Sequence, residues 1–255
     1  MNKQETVISV QNLTVQYGDN VILDNVSFDV HKGELFVIAG GSGSGKSTLL
    51  RHIIGLETPK AGKVILNGID ATGLSESKLE ALRRRIGMLF QGSALFGSMT
   101  ISENVSLPLE EFTSLSEASI DYLVRMKLGM VDLSGYENHY PSELSGGMKK
   151  RAGIARAMAL EPEMLFLDEP SAGLDPVTTA ELDVLIRKLN EGIGTTMVIV
   201  THELETIFNI SHRVIMLDKD TKAIIAEGDA RELKEHSSNT KVRNFFNRRI
   251  EEKKN

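Results

Sequence analysis

The chain has 255 residues, 41% hydrophobic and 25% charged, which supports one large folded domain, or one domain with a small inserted subdomain, and excludes wholesale disorder. A formal net charge of -6 gives a general nucleic-acid binder little electrostatic help. Cysteine is absent, which excludes disulfides and thiol chemistry and fits a reducing compartment without proving one.

The opening stretch MNKQETVISVQNLTVQYGD lacks the basic start and apolar core of a secretory signal. Thr6 to Gln11, Asn12 to Gln16 and Val21 to Val30 read as short strands, with a turn at Gly18-Asp19-Asn20. Leu35 to Ala39 is an all-apolar strand of the kind buried on both faces. Beyond a glycine-rich stretch, Ser47 to Gly55 is predicted helical, Lys63 to Gly68 a strand with its turn, Ser75 to Arg85 a helix and Ile86 to Phe90 a strand. From Ile101 to Met158 the pattern is mainly helical, with interruptions expected at Pro108, Gly129, Gly135 and Pro141. Strand and helix then alternate: Met164 to Leu167, Val177 to Glu191, Thr195 to Val200, His202 to Ile210, with late strands at Arg213 to Leu217 and Ala223 to Ala226 and a polar helical tail. The apolar runs LFVIAGG and TTMVIV are far too short to span a bilayer, so any membrane role is expected to be peripheral. The pattern is an α/β nucleotide-binding core with an N-terminal antiparallel β subdomain and an inserted helical subdomain. The expected divisions are residues 1–96 and 151–230 for the core, 97–150 for the helical subdomain and 231–255 for a C-terminal helical extension.

Gly40-Gly41-Ser42-Gly43-Ser44-Gly45-Lys46-Ser47, followed by Thr48, fits the phosphate-loop pattern in full, and it lies directly between a predicted buried strand and a helix. Glycines let the backbone curl so that successive N-H groups face phosphates, and the helix N-terminus adds a favourable dipole. Lys46 is expected to reach the β and γ phosphates of ATP, and Ser47 to ligate Mg2+. A second apolar strand ends in Asp168-Glu169. Such a strand delivers its C-terminal carboxylates to the same sheet edge, where Asp168 is placed to hold the magnesium shell and Glu169 to polarise the attacking water. His202 follows a third strand ending at that edge. It is placed either to contact the γ-phosphate and hold Glu169 or the water, or to serve as a helix cap or surface residue.

Leu144-Ser145-Gly146-Gly147-Met148 resembles the signature loop of ABC-type ATPases. That resemblance runs in the family's order over nearly the whole chain to about residue 230. It implies that Tyr17 is the adenine-stacking aromatic, that Gln91 senses magnesium and couples to the membrane domain, and that His202 is the switch histidine. It also implies that Ser171-Ala172-Gly173-Leu174-Asp175 crosses the dimer interface. Ser145, Gly146 and Gly147 offer a hydroxyl and backbone donors at a second helix start, another anion-binding end. In this family the two phosphate-binding ends meet only across two subunits, so the expected assembly is a pair of identical chains with ATP between the phosphate loop of one and the signature of the other. Met148 stands where most members carry Gln, and ordinary packing against the helical subdomain accounts for it equally well.

Leu89 to Val105, Leu107-Pro108-Leu109 and Tyr140 to Met148 together resemble the ATPase of MCE-associated (Mla-type, toluene-tolerance) phospholipid transporters, a subgroup that shares the signature methionine. The resemblance implies an integral-membrane permease, a lipid-binding MCE protein and, in some systems, a small accessory protein bound to the ATPase, at the cytoplasmic face of the inner membrane. The alternatives are an ATPase serving a small polar solute such as an amino acid, and a soluble ABC-type protein outside transport. Leu95 and Phe96 are placed either in a groove receiving a permease helix or in a local hydrophobic cluster. Phe245 and Phe246 are placed against the partner ATPase, on anionic lipid or on their own domain. Arg83-Arg84-Arg85 and Lys149-Lys150-Arg151 are read as solvated helix faces and intersubunit ion pairs, not as a nucleic-acid surface.

Overall fold

The computed structural model describes residues 5–249. Strands β1 (Thr6–Tyr17), β2 (Asn20–His31) and β3 (Leu35–Gly40) lead into helix α1 (Lys46–Ile53), followed by β4 (Ala61–Leu66), β5 (Ile69–Asp70), α2 (Glu76–Arg83) and β6 (Ile86–Leu89). A helical arm comprises α3 (Ile101–Phe112), α4 (Glu117–Met130) and α5 (Gly146–Ala157). The chain continues through β7 (Met164–Asp168), α6 (Pro176–Ile193), β8 (Thr196–Val200), α7 (Leu204–Ile210), β9 (Arg213–Asp218), β10 (Ala223–Gly228), α8 (Ala230–His236) and α9 (Thr240–Phe246).

Four strands form an antiparallel sheet ordered β2-β1-β4-β5, and six form a second sheet ordered β10-β9-β3-β8-β7-β6, parallel except for the β9–β10 hairpin. β3 is wholly buried. Its alternate residues feed two cores: Leu35, Val37 and Ala39 face the arm, α6 and α7, while Phe36 and Ile38 face the antiparallel sheet and α1. Parallel pairing aligns Asp168 with Val200, and Val200 with Ile38. The loops after β3, β7 and β8 therefore leave from one sheet edge, the usual place for a ligand in such a sheet.

Two local expectations are corrected. Residues 6–17 form one strand, not two. At Asn12 the backbone turns left-handed (φ 49°) and the register against β2 shifts, a bulge that bends the strand without ending it. α3 also runs through Pro108 to Phe112. Ile101, Val105 and Leu109 recur on one helix face and are buried in the core, and that stripe outweighs the donor that the proline removes. A reciprocal cap, with Thr100 N-H donating to Glu103 at 2.6 Å and Glu103 N-H to Thr100 Oγ1 at 3.2 Å, fixes where α3 begins.

Candidate active site

The phosphate loop is shaped by glycine where nothing else fits. At Gly40, φ is 148°, and a Cβ there would meet the Leu217 carbonyl oxygen at 2.5 Å and Ser44 Oγ at 2.6 Å. Gly45 (φ 94°) is the N-cap of α1 and supplies no side-chain cap, so the first donors of the helix are left for an anion. Lys46 is buried and its Nζ donates to the carbonyls of Gly40 (2.9 Å) and Gly41 (3.1 Å). Burial pushes its pKa down, opposed by the negative charges of Glu169 and Asp168.

Ser47 Oγ donates to Asp168 Oδ1 at 2.9 Å, joining the loop to the end of β7. Burial raises the Asp168 pKa, the Ser47 hydrogen bond opposes this, and the neighbouring Glu169 charge adds to the rise. Glu169 sits in the left-handed region (φ 48°), its N-H bonded to the Val200 carbonyl at 2.8 Å. This uncommon backbone state turns its carboxylate away from the strand line. Glu169 Oε1 lies 2.8 Å from His202 Nδ1, while Oε2 is buried and has no protein partner. One carboxylate oxygen is thus oriented by an imidazole, and the other is buried without a protein donor.

Lys46, Ser47, Asp168, Glu169 and His202 are thus joined at the sheet edge within a single chain. The other candidates sit on further segments of the chain. Tyr17 is half exposed at the end of β1, its ring 6.4 Å from that of His52 and its hydroxyl donating to Glu57, which also pairs with Arg51 at 3.0 Å. Gln91 is exposed just beyond β6. Ser145 caps α5 by accepting the Met148 N-H at 3.3 Å. Packing requires glycine at 147, where a Cβ would run into Thr178 Cγ2, and is tight at Gly146, where one would meet Leu174 Cδ2 at 3.2 Å. Gly173 (φ 81°) is exposed, and Asp175 caps α6 by accepting from the N-H groups of Val177 (3.0 Å) and Thr178 (3.1 Å). Met148 is half-buried against the core.

The basic run at 149–151 needs correction. Lys150 is 5% exposed and donates to the carbonyl of Gln91 and, at 3.2 Å, to that of Glu169. Burial lowers its pKa, and Asp168 and Glu169 push it back up. Helical spacing carried the signal: Lys150 lies three residues after Gly147 and four before Ile154, both on the buried face of α5. Arg151 bonds Asp132 at 2.8 Å, and Arg83, Arg84 and Arg85 pair with Glu76, Glu80 and Glu163, all within the chain. Leu95 packs on the core, whereas Phe96 is 51% exposed with the Arg156 guanidinium 5.9 Å from its ring centre. Arg156 also donates to the carbonyls of Ser93 (2.9 Å) and Ala94 (2.8 Å), a role not apparent from sequence. Of the three destinations open to the tail aromatics, the described chain uses its own domain. Phe246 is buried, 5.8 Å from the ring of Phe208, and Phe245 packs edge-on to it at 5.3 Å.

Residues 23–172 match the ABC transporter family. The chain is 42% identical to the Haemophilus influenzae protein named intermembrane phospholipid transport system ATP-binding protein MlaF, over 90% of this chain and 86% of that one. It is 41% identical to the Mycobacterium leprae protein named probable ribonucleotide transport ATP-binding protein mkl, over 95% of this chain and 69% of that one. Among solved structures, the ATP-binding cassette MJ0796, a dimer in a post-hydrolysis state bound to ADP and Pi, superposes with a TM-score of 0.79 at 35% identity, over 87% of this chain and 98% of that one.

Proposed function

The chain belongs to the ABC transporter family as an ATP-hydrolysing subunit, and from that premise we propose that it powers a phospholipid transporter through the residues gathered at the sheet edge. In this reading ATP lies with its phosphates along residues 40–48 and its adenine on Tyr17. Lys46 exchanges the Gly40 and Gly41 carbonyls for β- and γ-phosphate oxygens. The Ser47 hydroxyl and the Asp168 carboxylate, 2.9 Å apart, form an oxygen pair suited to Mg2+, with Gln91 as a further ligand. When bound, that ion neutralises charge on the β and γ phosphates. Glu169 Oε2 accepts a proton from water as the water oxygen bonds to the γ-phosphorus and the bond to the ADP oxygen breaks, while His202 holds Oε1. Ser145, Gly146 and Gly147 of a second copy close over the γ-phosphate, with Gly173, Leu174 and Asp175 at the join.

The division into a core at 1–96 and 151–230, an arm at 97–150 and an extension at 231–255 is part of this proposal, with the arm's end moved to Ala157 because α5 runs unbroken across residue 150; residues 1–4 and 250–255 lie outside the described residues. So are the partners: an integral-membrane permease, an MCE lipid-binding protein and a small accessory protein, assembled at the cytoplasmic face of the inner membrane. Among the described residues no helix is long and apolar enough to cross a membrane. A groove of about 420 Å3, lined by Arg84, Phe90, Phe96, Pro108, Phe112 and Arg156, supports seating of a short permease helix there.

The observation that carries the cargo is the 42% identity to the H. influenzae protein along most of both chains. The 41% identity to the M. leprae protein named for ribonucleotide transport favours a second reading, a small polar solute. The test is mass spectrometry of the proteins and lipids recovered with the tagged chain from gently solubilised native membranes, against matched background membrane. Enriched phospholipid with an MCE subunit and a permease is expected. A permease joined by a solute-binding protein, with background lipid only, overturns the lipid assignment and leaves the ATPase standing.

A further inference from the structure

We infer that Lys150 is a positioning residue that ties the signature helix to Glu169 of its own chain and so holds the geometry of that chain's hydrolytic site. The inference rests on the proposed role of Glu169 as the group that takes the proton from water.

The geometry begins with the Glu169 peptide. Its N-H is fixed by the Val200 carbonyl at 2.8 Å. Its C=O accepts from Ala172 N-H at 3.1 Å and from Lys150 Nζ at 3.2 Å. The first two bonds come from the same sheet edge and its turn, whereas the third comes from the arm. A non-glycine residue in the left-handed region persists only when its surroundings over-determine it, and Lys150 supplies one of those determinants. The same ammonium also holds the Gln91 carbonyl, so one side chain joins three segments: the signature helix, the loop after β6 and the loop after β7.

The lever is short and stiff. Ser145 caps α5, Lys150 lies in its second turn, and Gly153 one turn further is pressed so close to β6 that a Cβ would meet Leu89 Cδ1 at 2.6 Å. α5 is thus seated on the strand that ends just before Gln91. In the paired assembly the signature of one chain touches the nucleotide in the partner's phosphate loop. Lys150 carries that contact back to Glu169 of its own chain. The Gln91 and Glu169 carbonyls already share one cation in the single chain, with the carboxylate on His202, so a signature docked on nucleotide keeps in place an arrangement that the chain presents beforehand. Lys150 touches no phosphate in this scheme and acts through Glu169.

The test uses the full chain in its purified transporter complex, with kcat and KM measured for ATP and binding measured with a non-hydrolysable ATP analogue. Lys150→Met, similar in length but without donors, is expected to lower kcat by roughly 10- to 100-fold while KM and analogue affinity stay within about twofold. Lys150→Arg, which again offers donors to two carbonyls, is expected to recover kcat to within about threefold of wild type, and Lys150→Gln to fall between. A Lys150→Met kcat within about twofold of wild type overturns the inference, as does a loss of kcat matched by lost analogue binding and unrelieved by Lys150→Arg. Should Lys150→Met fail to fold, Lys150→Gln decides: an intermediate kcat supports the inference and a wild-type kcat overturns it. Glu169→Gln is run in parallel. If it still hydrolyses ATP, the role of Glu169 falls and the inference with it; if it is inactive while Lys150→Met is normal, only the inference falls.

Discussion

Helix α1 follows a glycine-rich loop and helix α5 opens on two glycines, and each sends a buried lysine to two backbone carbonyls, Lys46 to Gly40 and Gly41 and Lys150 to Gln91 and Glu169. Their first turns differ. α1 begins at Gly45 with no side-chain cap, whereas α5 begins at Ser145, whose hydroxyl already accepts the Met148 N-H. An uncapped helix start is a standing anion site, while a capped one has satisfied one of its own donors and yields it only to a stronger acceptor. On the proposed function, the first end binds nucleotide in a single chain, and the second does so only when a partner brings phosphate to it.

The largest test of this contrast compares the two ends by substitution. Lys46→Ala is expected to weaken ATP binding by the isolated chain at least about 100-fold, because it removes the charge aimed at the phosphates. Ser145→Ala is expected to leave that binding within about twofold and to reduce hydrolysis by the paired chains roughly 10-fold. Calorimetry and phosphate release separate the two, and equal loss of single-chain binding in both variants would erase the distinction.

A smaller effect concerns the seat of α5. Gly147→Ala forces a methyl onto Thr178 Cγ2 and is expected to destabilise the fold by about 1–3 kcal/mol. Adding Thr178→Ser removes that methyl and keeps the hydroxyl bonded to Asp175 at 2.6 Å, so the double variant should regain most of the loss in urea unfolding. A Gly147→Ala protein as stable as wild type would show that the signature yields more readily than the packing suggests.

The smallest effect lies where α6, the support of Gly147, meets α7, the helix beyond His202. Asp183 is buried there, with Asn209 Nδ2 donating to it at 3.1 Å. Burial raises its pKa, the Asn209, Thr206 and Arg187 groups oppose this, and Glu205 adds to the rise. A carboxyl whose folded pKa exceeds its unfolded value contributes stability below the unfolded value and loses it as pH rises through the folded one. Asp183→Asn should therefore flatten the dependence of melting temperature on pH between the ordinary carboxylate range and neutrality. At neutral pH it should match or exceed wild type, by a shift on the order of 2–4 °C. A melting temperature that falls in the variant at neutral pH would contradict the sign.

Much of the core was legible because its signals are local. Gly40 to Ser47 declares a strand-loop-helix phosphate site within eight consecutive positions, and Asp168-Glu169 ends an apolar strand whose partners all finish at one edge. What sequence could not supply is set by distant contacts. Lys150 reads as one member of a basic run; its spacing from Gly147 and Ile154 marks it for the buried face of α5, but the Gln91 and Glu169 carbonyls that receive it come from distant loops. Asn12 reads as a strand break because its left-handed backbone is specified by pairing with β2 and not by its neighbours. Pro108 reads as a helix stop because the burial of Ile101, Val105 and Leu109 that overrides it comes from the core. Phe246 had three open destinations from sequence, and the Phe208 ring that receives it lies on α7, far back in the chain.

The most direct measurement is light scattering together with phosphate release on Glu169→Gln protein in ATP and Mg2+. The account predicts an ATP-dependent dimer that persists and phosphate release reduced at least about 100-fold, since Gln keeps the shape of Glu169 and loses the oxygen that accepts the proton. Phosphate release near the wild-type rate would contradict it, and would place water activation on some group other than the buried carboxylate that His202 holds.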